Sequence, residues 1–378
     1  MAIDYKRRLD SLRQEMSRRG LKAYLTTADA NWEYLAGIPR LGGDTTKHRQ
    51  HSSQYTCLVV TSDDVVALMP HLNLYGTRDK LQDREIPARF VTFPDGDLEG
   101  RVIKDSLFSL GLSREKVGVS QDVTAALVLL LQDEIKADVS DHNDIIFALR
   151  AVKDDEELSM IRHGVEITDR IYDDLLRFIR PGLIVREIEW EIDRLMERYG
   201  ADNSSFSTSI YTASKESDSY FGGSDVKVKK GSILGLDYGV IYQGYCTDFG
   251  RTIFVGEPAN EESKIHALVM EAQRQGMAEM YPGSCGDRAD AAARKVLTDA
   301  GYGDRFIHKL GHGIGLDVHE CPFLAPGETT PFQPGMVFTV EPSVYIPGKG
   351  FIRVEDEVLI TSSGCEIMSR IGHDLTVV

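Results

Sequence analysis

Leu236-Asp237-Tyr238-Gly239-Val240-Ile241-Tyr242-Gln243-Gly244-Tyr245-Cys246-Thr247-Asp248-Phe249-Gly250-Arg251-Thr252 reads as two β-rich runs folded on a short turn, with one aspartate in each arm. The runs cover residues 232–240 and 245–255. A two-residue loop at Tyr242-Gln243 sets Asp237 directly opposite Asp248, with Cβ atoms about 5 Å apart. Asp237 also interrupts an apolar run, Ile233-Leu234-Gly235-Leu236. Two like charges facing each other in such surroundings repel unless a cation lies between them. The stretch therefore predicts a hairpin built around a metal ion.

A second hairpin repeats the device. Residues 337–345 and 351–360 form strands joined by Ile346-Pro347-Gly348-Lys349-Gly350. A loop centred on Gly348 brings Glu341 opposite Glu355, and Glu341 follows the apolar Val337-Phe338-Thr339-Val340. The nitrogen donor comes from His308-Lys309-Leu310-Gly311-His312-Gly313-Ile314-Gly315-Leu316-Asp317-Val318-His319, which holds three of the chain's ten histidines. Its glycines let backbone approach a site closely. Carboxylates with one imidazole suit Mn, Co, Fe or Zn as divalent ions. Four carboxylates exceed the charge of one such ion, so two ions roughly 3.5–4 Å apart fit better.

Outward from the hairpins, Lys153-Asp154-Asp155-Glu156-Glu157 opens a long helix through about Arg180. Asp154 or Asp155 caps it, and its acidic first turn suits the positive end of the helix dipole. Pro181-Gly182 stops it, and residues 185–199 form a second helix. Two more helices are predicted near residues 261–279 and 287–300, so a helix pair plus an acidic hairpin occurs twice. The N-terminal part alternates helix and strand: a helix at residues 7–19 ended by Gly20, strands at 23–25, 57–60, 65–69 and 117–119, and a helix over 125–135. The fold class expected is α+β, with a smaller α/β domain at residues 1–148 before a catalytic domain at 149–378. A chain of 378 residues is long enough for two such domains.

Composition narrows the function. The net charge of −16 argues against nucleic acid, whose binding relies on Lys and Arg. No apolar run reaches the roughly 18–20 residues that span a bilayer. Charges at Asp4, Lys6, Arg7 and Arg8 do not suit a signal peptide. Five scattered cysteines without a CxxC pair suggest neither a disulfide framework nor a thiolate site. A cytoplasmic enzyme is the expectation.

The segments Leu236-Asp237-Tyr238-Gly239, Thr247-Asp248-Phe249-Gly250-Arg251-Thr252, Gly311-His312-Gly313-Ile314-Gly315, Val340-Glu341-Pro342 and Arg353-Val354-Glu355-Asp356 resemble the pita-bread metallopeptidases, which include methionine aminopeptidase, aminopeptidase P, prolidase and creatinase. The resemblance runs from about Leu149 to the C-terminus and is closest to Xaa-Pro dipeptidases. It implies a pita-bread (creatinase/aminopeptidase-like) catalytic domain and two divalent ions, manganese first among Mn, Co, Zn and Fe. It assigns Asp237, Asp248, His312, Glu341 and Glu355 as ligands, with Asp248 and Glu355 shared by both ions. Glu341 would also shuttle a proton. His308 and His319 match histidines that contact substrate, and Tyr345 and Arg353 match residues near the metal. A homodimer acting on a short peptide or small molecule is implied as well.

One departure bears on substrate. The family's peptidases carry a further histidine upstream of the first aspartate, where this chain has Tyr220. Tyrosine can donate a hydrogen bond but carries no positive charge near neutral pH. The resemblance therefore leaves open an Xaa-Pro peptidase, a hydrolase of another C–N bond as in creatinase- or ectoine-hydrolysing relatives, and a lyase acting on a small carboxylate. The basic loop at residues 40–51, with Lys47, His48 and Arg49, is expected to reach a partner subunit's active site.

Overall fold

The computed structural model describes residues 3–40, 53–81, 85–94, 100–212 and 223–378. The chain divides into two units, Met1–Arg150 and Ala151–Val378.

In the first unit, runs of Val, Ala and Leu form a six-stranded mixed sheet. Its strands are β1 (Ala23–Thr26), β2 (Cys57–Thr61), β3 (Val65–Pro70), β4 (Arg89–Phe93), β5 (Lys116–Val119) and β6 (Asp138–Asp141), in the order β4-β3-β2-β1-β5-β6. The β1–β2 and β2–β3 pairs are antiparallel and the other three parallel. Strands β2 and β3 are buried on both faces, which is why they read as continuous apolar runs. Helix α1 (Tyr5–Arg19) is capped by Asp4 and buries Leu9, Leu12 and Met16 at helical spacing. Helices α2 (Ala30–Ala36), α3 (His71–Thr77), α4 (Arg101–Ser109), α5 (Ala125–Leu130) and α6 (Asn143–Ala151) follow along the chain.

The second unit begins with α7 (Asp155–Phe178). Asp154 caps it, and Glu157 bonds back to the Asp154 N–H in a capping box. The helix ends two residues before the predicted Arg180. Pro181 disfavours helical backbone in the residue before it, and Ile179 is already extended. Helix α8 (Val185–Tyr199) packs beside α7, and α9 (Asn260–Ala278) beside α10 (Gly286–Asp299).

These helices cover an antiparallel sheet whose main path runs β14 (Glu320–Leu324), β13 (Gly311–Gly313), β15 (Val337–Val340), β17 (Gly350–Ile360), β12 (Phe249–Phe254), β9 (Ile233–Tyr238), β8 (Ser209–Tyr211). One apolar core joins residues of α7 and α8 to β9 and β12. Another joins α9 and α10 to β15 and β17. The duplicated pattern thus becomes two halves whose acidic hairpins abut along β12 and β17.

The second hairpin has the predicted register. Strand β16 (Ser343–Ile346) pairs Ser343 with Arg353, and β15 pairs Val340 with Asp356, so the register agrees on both sides of Glu341-Pro342. Pro342 has no N–H to give the ladder, and the expected single strand is broken there into β15 and β16.

The first hairpin corrects the expectation. Its turn is Gln243-Gly244, with φ of 47° and 87°, joining β10 (Val240–Tyr242), which also pairs with β7 (Asn203–Ser204), to β11 (Tyr245–Cys246). Two positive φ values identify a type I′ turn, whose twist suits a tight hairpin. Asp237 therefore faces Gly250, and Asp248 is not directly opposite it. Because the slip is two residues and side chains alternate with period two, Asp248 stays on the face of Asp237.

Candidate metal centre

Register aligns three residues across neighbouring strands: Asp237 on β9 pairs with Gly250 on β12, and Gly250 pairs with Glu355 on β17. The two carboxylates converge over the one position that has no side chain. A Cβ at residue 250 would collide with Glu355 Oε2 and stand 2.9 Å from Arg353 Nε. Asp248, two residues before Gly250 and just ahead of β12, completes the group. Asp237, Asp248 and Glu355 offer carboxylate oxygens that all lie within 4.8 Å of one another. Gly250→Ala is therefore expected to weaken metal binding at least tenfold while the apo protein still folds. Metal titration beside thermal unfolding in chelator checks this, and unchanged affinity would show that the cradle tolerates a methyl group.

His312, on β13, joins from the other half. Its Nδ1 lies 3.0 Å from the Gly313 carbonyl, which can only accept, so Nδ1 carries the proton. The Nε2 lone pair is left facing Asp248 Oδ2 and Glu341 Oε1, each 3.5 Å away. A second hydrogen bond that fixes the tautomer is the usual arrangement for a ligand histidine. Glu341, at the break between β15 and β16, donates its N–H to the Leu310 carbonyl. The structure thus brings together all five predicted ligand residues, and each is buried.

Arg353 is the cation among them. Its Nη2 contacts Asp237, Nη1 lies 3.3 Å from Glu341 Oε2, and Nε lies 3.1 Å from Glu355 Oε2. One guanidinium does not neutralise four carboxylates. Burial pushes Asp248 and Glu355 well above the carboxylate range. Burial also raises Glu341 to about 7, against the pull of Arg353 and His312. Asp248 Oδ1 is buried and has no hydrogen-bond partner among the described residues. An unpartnered buried carboxylate oxygen, an imidazole aimed at the other oxygen of the same carboxylate and a cradle that a Cβ would fill are a donor set that fits divalent metal ions.

His308 bonds through Nδ1 to the Lys309 carbonyl at 2.7 Å and through Nε2 to Ser343 Oγ at 2.6 Å, with Nδ1 4.0 Å from Glu341 Oε2. His319 is exposed, and its ring packs on that of His312 at 4.1 Å between centroids. Burial draws His308 down to about 4, helped by Arg353, and desolvation of the inner part of the His319 ring, where it packs on His312, draws that histidine down to about 4 as well. Tyr345 stands half-buried on β16 opposite Phe351, on the face that carries Ser343 and Arg353. Tyr220 and residues 41–51, including Lys47, His48 and Arg49, lie outside the described residues.

Several participants were not predicted. Tyr211 donates its hydroxyl to Asp237 Oδ2 at 3.0 Å and packs on Phe351 at 4.3 Å. Thr339 Oγ1 accepts the His312 N–H and donates to Glu341 Oε1. Glu357, fully buried, accepts the Asp248 N–H at 2.7 Å. Asp356, on the opposite face of β17, is also fully buried. Burial opposes its charge, but Arg251 and His373 hold it at about 2. Neither Asp356 nor Glu357 is a surface acid.

Among the described residues, no helix is long and apolar enough to cross a membrane. The profile of metallopeptidase family M24 matches residues 159–362, and that of the creatinase/prolidase N-terminal domain matches residues 8–152. An uncharacterized peptidase, YqhT, of Bacillus subtilis is 30% identical over 98% of this chain and 99% of its own length. The Xaa-Pro dipeptidase of Pyrococcus furiosus is 28% identical over 98% and 99%. Among solved structures, recombinant prolidase from Thermococcus sibiricus superposes with a TM-score of 0.89 at 27% identity, covering 100% of both chains.

Proposed function

The chain belongs to metallopeptidase family M24, and from that premise we propose that this prolidase-like hydrolase cleaves the Xaa-Pro bond of dipeptides and short peptides. Membership implies a dinuclear metal centre. The observation that carries the reading is the convergence of Asp237, Asp248 and Glu355 around Gly250, in a chain that resembles prolidases along its whole length.

Asp237, Asp248, His312, Glu341 and Glu355 would hold the ions, manganese being the first choice among Mn, Co, Zn and Fe. Bound there, divalent ions supply Lewis acidity that polarises a carbonyl and acidifies water. Glu341 takes the proton of the attacking water and passes it to the leaving nitrogen. An Xaa-Pro bond is a tertiary amide, so that nitrogen must gain its proton to leave as an amine. His319 and His308 are neutral near pH 7 and contact the substrate around the reacting carbonyl. Arg353 and Tyr211 orient Asp237, and Tyr345 borders the same face.

The test is a metal-reconstituted screen of Gly-Pro, Ala-Pro, longer Xaa-Pro peptides, creatine, ectoine-type amides and dimethylsulfoniopropionate. Robust cleavage of Gly-Pro or Ala-Pro is expected. If the metallated enzyme cleaves no Xaa-Pro bond, the substrate assignment fails.

A dipeptide's carboxylate needs a cation. The Lys309 ammonium lies 5.1 Å over the Phe323 ring, and Phe323 pairs across from His312. Among the described residues Lys309 makes no ion pair. Lys309→Met is expected to raise KM about tenfold with kcat within about twofold, the mark of lost uniform binding. A homodimer offers a second source, the basic loop of the partner. If KM instead responds to joint alanine replacement of Lys47, His48 and Arg49, that loop and not Lys309 holds the carboxylate.

A further inference from the structure

Beneath the ligands lies a cross-strand pair with no charge partner. Thr339 on β15 pairs directly with Glu357 on β17. Both are fully buried, and no ion pair to Glu357 occurs among the described residues. Glu357 Oε1 accepts the Asp248 backbone N–H at 2.7 Å, while its Oε2 has no hydrogen-bond partner among the described residues. Thr339 Oγ1 accepts the His312 backbone N–H at 3.1 Å and donates to Glu341 Oε1 at 3.5 Å. One pair of neighbouring side chains therefore touches three of the five ligand residues.

The reason for an acceptor at Glu357 lies in the strand ladder. Strand β11 ends at Cys246 and β12 starts at Phe249, so Asp248 sits in a gap. Across it, the Gly239 carbonyl is taken by the Ser205 N–H, and a Cβ on Gly239 would strike the Thr247 carbonyl. The Asp248 N–H is buried and needs an acceptor from outside the ladder. Glu357 provides it, and the bond fixes the backbone from which the Asp248 carboxylate extends. Thr339 performs the same service for His312, whose N–H falls at the irregular step between His312 and Gly313 on β13.

We infer that Thr339 and Glu357 are positioning residues that set the geometry, and hence the metal affinity, of Asp248, His312 and Glu341. The inference rests on the metal-centre reading above. Groups that orient metal ligands typically govern affinity by 10–100-fold. What matters at Glu357 is the acceptor oxygen, not the charge.

The experiment titrates Mn²⁺, and separately Co²⁺ with its visible spectrum as reporter, into metal-stripped full-length protein. Glu357→Leu is expected to bind Mn²⁺ at least about tenfold more weakly and to alter the Co²⁺ spectrum. Glu357→Gln keeps an oxygen acceptor and is expected to restore affinity to within about threefold. Unchanged affinity in Glu357→Leu overturns the inference, as does an equal loss in Glu357→Gln. Should Glu357→Leu fail to fold, Thr339→Val and Thr339→Ser decide. A tenfold loss in the valine variant that serine restores supports the pair, and no loss overturns it. Wild-type protein that binds neither metal would remove the metal-centre reading itself, an outcome separate from any difference among variants.

Discussion

Asp248→Ala and Glu355→Ala are each expected to leave a folded protein that holds no divalent metal tightly and has lost more than about 1,000-fold of its activity. Lewis-acid activation is worth several kcal/mol, and each 1.36 kcal/mol is about tenfold in rate. These two residues are the sharpest choice because of where they stand. Glu355 pairs with Gly250 and meets the Asp237 carboxylate above it. Asp248 belongs to the same group and also faces His312. Alanine at either position removes a carboxylate from the middle of the centre. Unfolding would imitate this loss, but the electrostatics predict otherwise. Burial raises the pKa of both groups far above the ordinary range, so each charge is a cost to the metal-free fold. Thermal unfolding in chelator should therefore find both variants at least as stable as wild type near pH 8. Metal content after desalting completes the test. A variant that still carries two ions per chain would show that its missing carboxylate is not shared between them.

Much of the centre was legible in the sequence because its charges stand where strands should be apolar. Asp237 after Ile233-Leu234-Gly235-Leu236 and Glu341 after Val337-Phe338-Thr339-Val340 are conspicuous for that reason. The Gly348 loop fixed the second register correctly. The first slipped because Gln243 enters positive φ beside Gly244, and nothing about a glutamine advertises that conformation. The error was harmless to the site only because two residues is a whole period of the strand.

Tyr211 was not legible. It sits on a three-residue strand, and its pairing with Gly235 is decided by tertiary packing. Glu357 could have been found, since Arg353, Glu355 and Glu357 alternate along one buried face of β17. The role of Gly250 needed both flanking registers at once, which no local pattern supplies.

Stripping the metal is expected to invert the ordinary pH dependence of the site's stability. Glu341 is held at about 7 when folded, against roughly 4.3 in an unfolded chain, mainly through burial. A carboxylate whose folded pKa is raised binds its proton more tightly in the native state. Its stabilising contribution is present at acid pH and is lost as pH rises through the folded value. For Glu341 the loss is on the order of 3 kcal/mol between pH 5 and pH 8, and Asp248 and Glu355 move in the same direction. His308 and His319, drawn down to about 4, have the opposite sign: their contribution is present above about pH 6.5 and lost as pH falls. The metal-free protein should then be most stable near pH 6 and lose roughly 5–10 °C of melting temperature by pH 8. Asp29 in the N-terminal unit, raised to about 7 by burial and by Asp122, adds to the same trend. The decisive quantity is therefore the metal-dependent difference, to which Asp29 does not contribute. Saturating Mn²⁺ replaces protons at the ligands, so the gain in melting temperature it gives should grow steadily from pH 6 to pH 8. Scanning calorimetry with chelator and with Mn²⁺ at those two values measures the gain directly. A gain that is flat or shrinks with pH would mean that these buried carboxylates are not the groups that meet the metal.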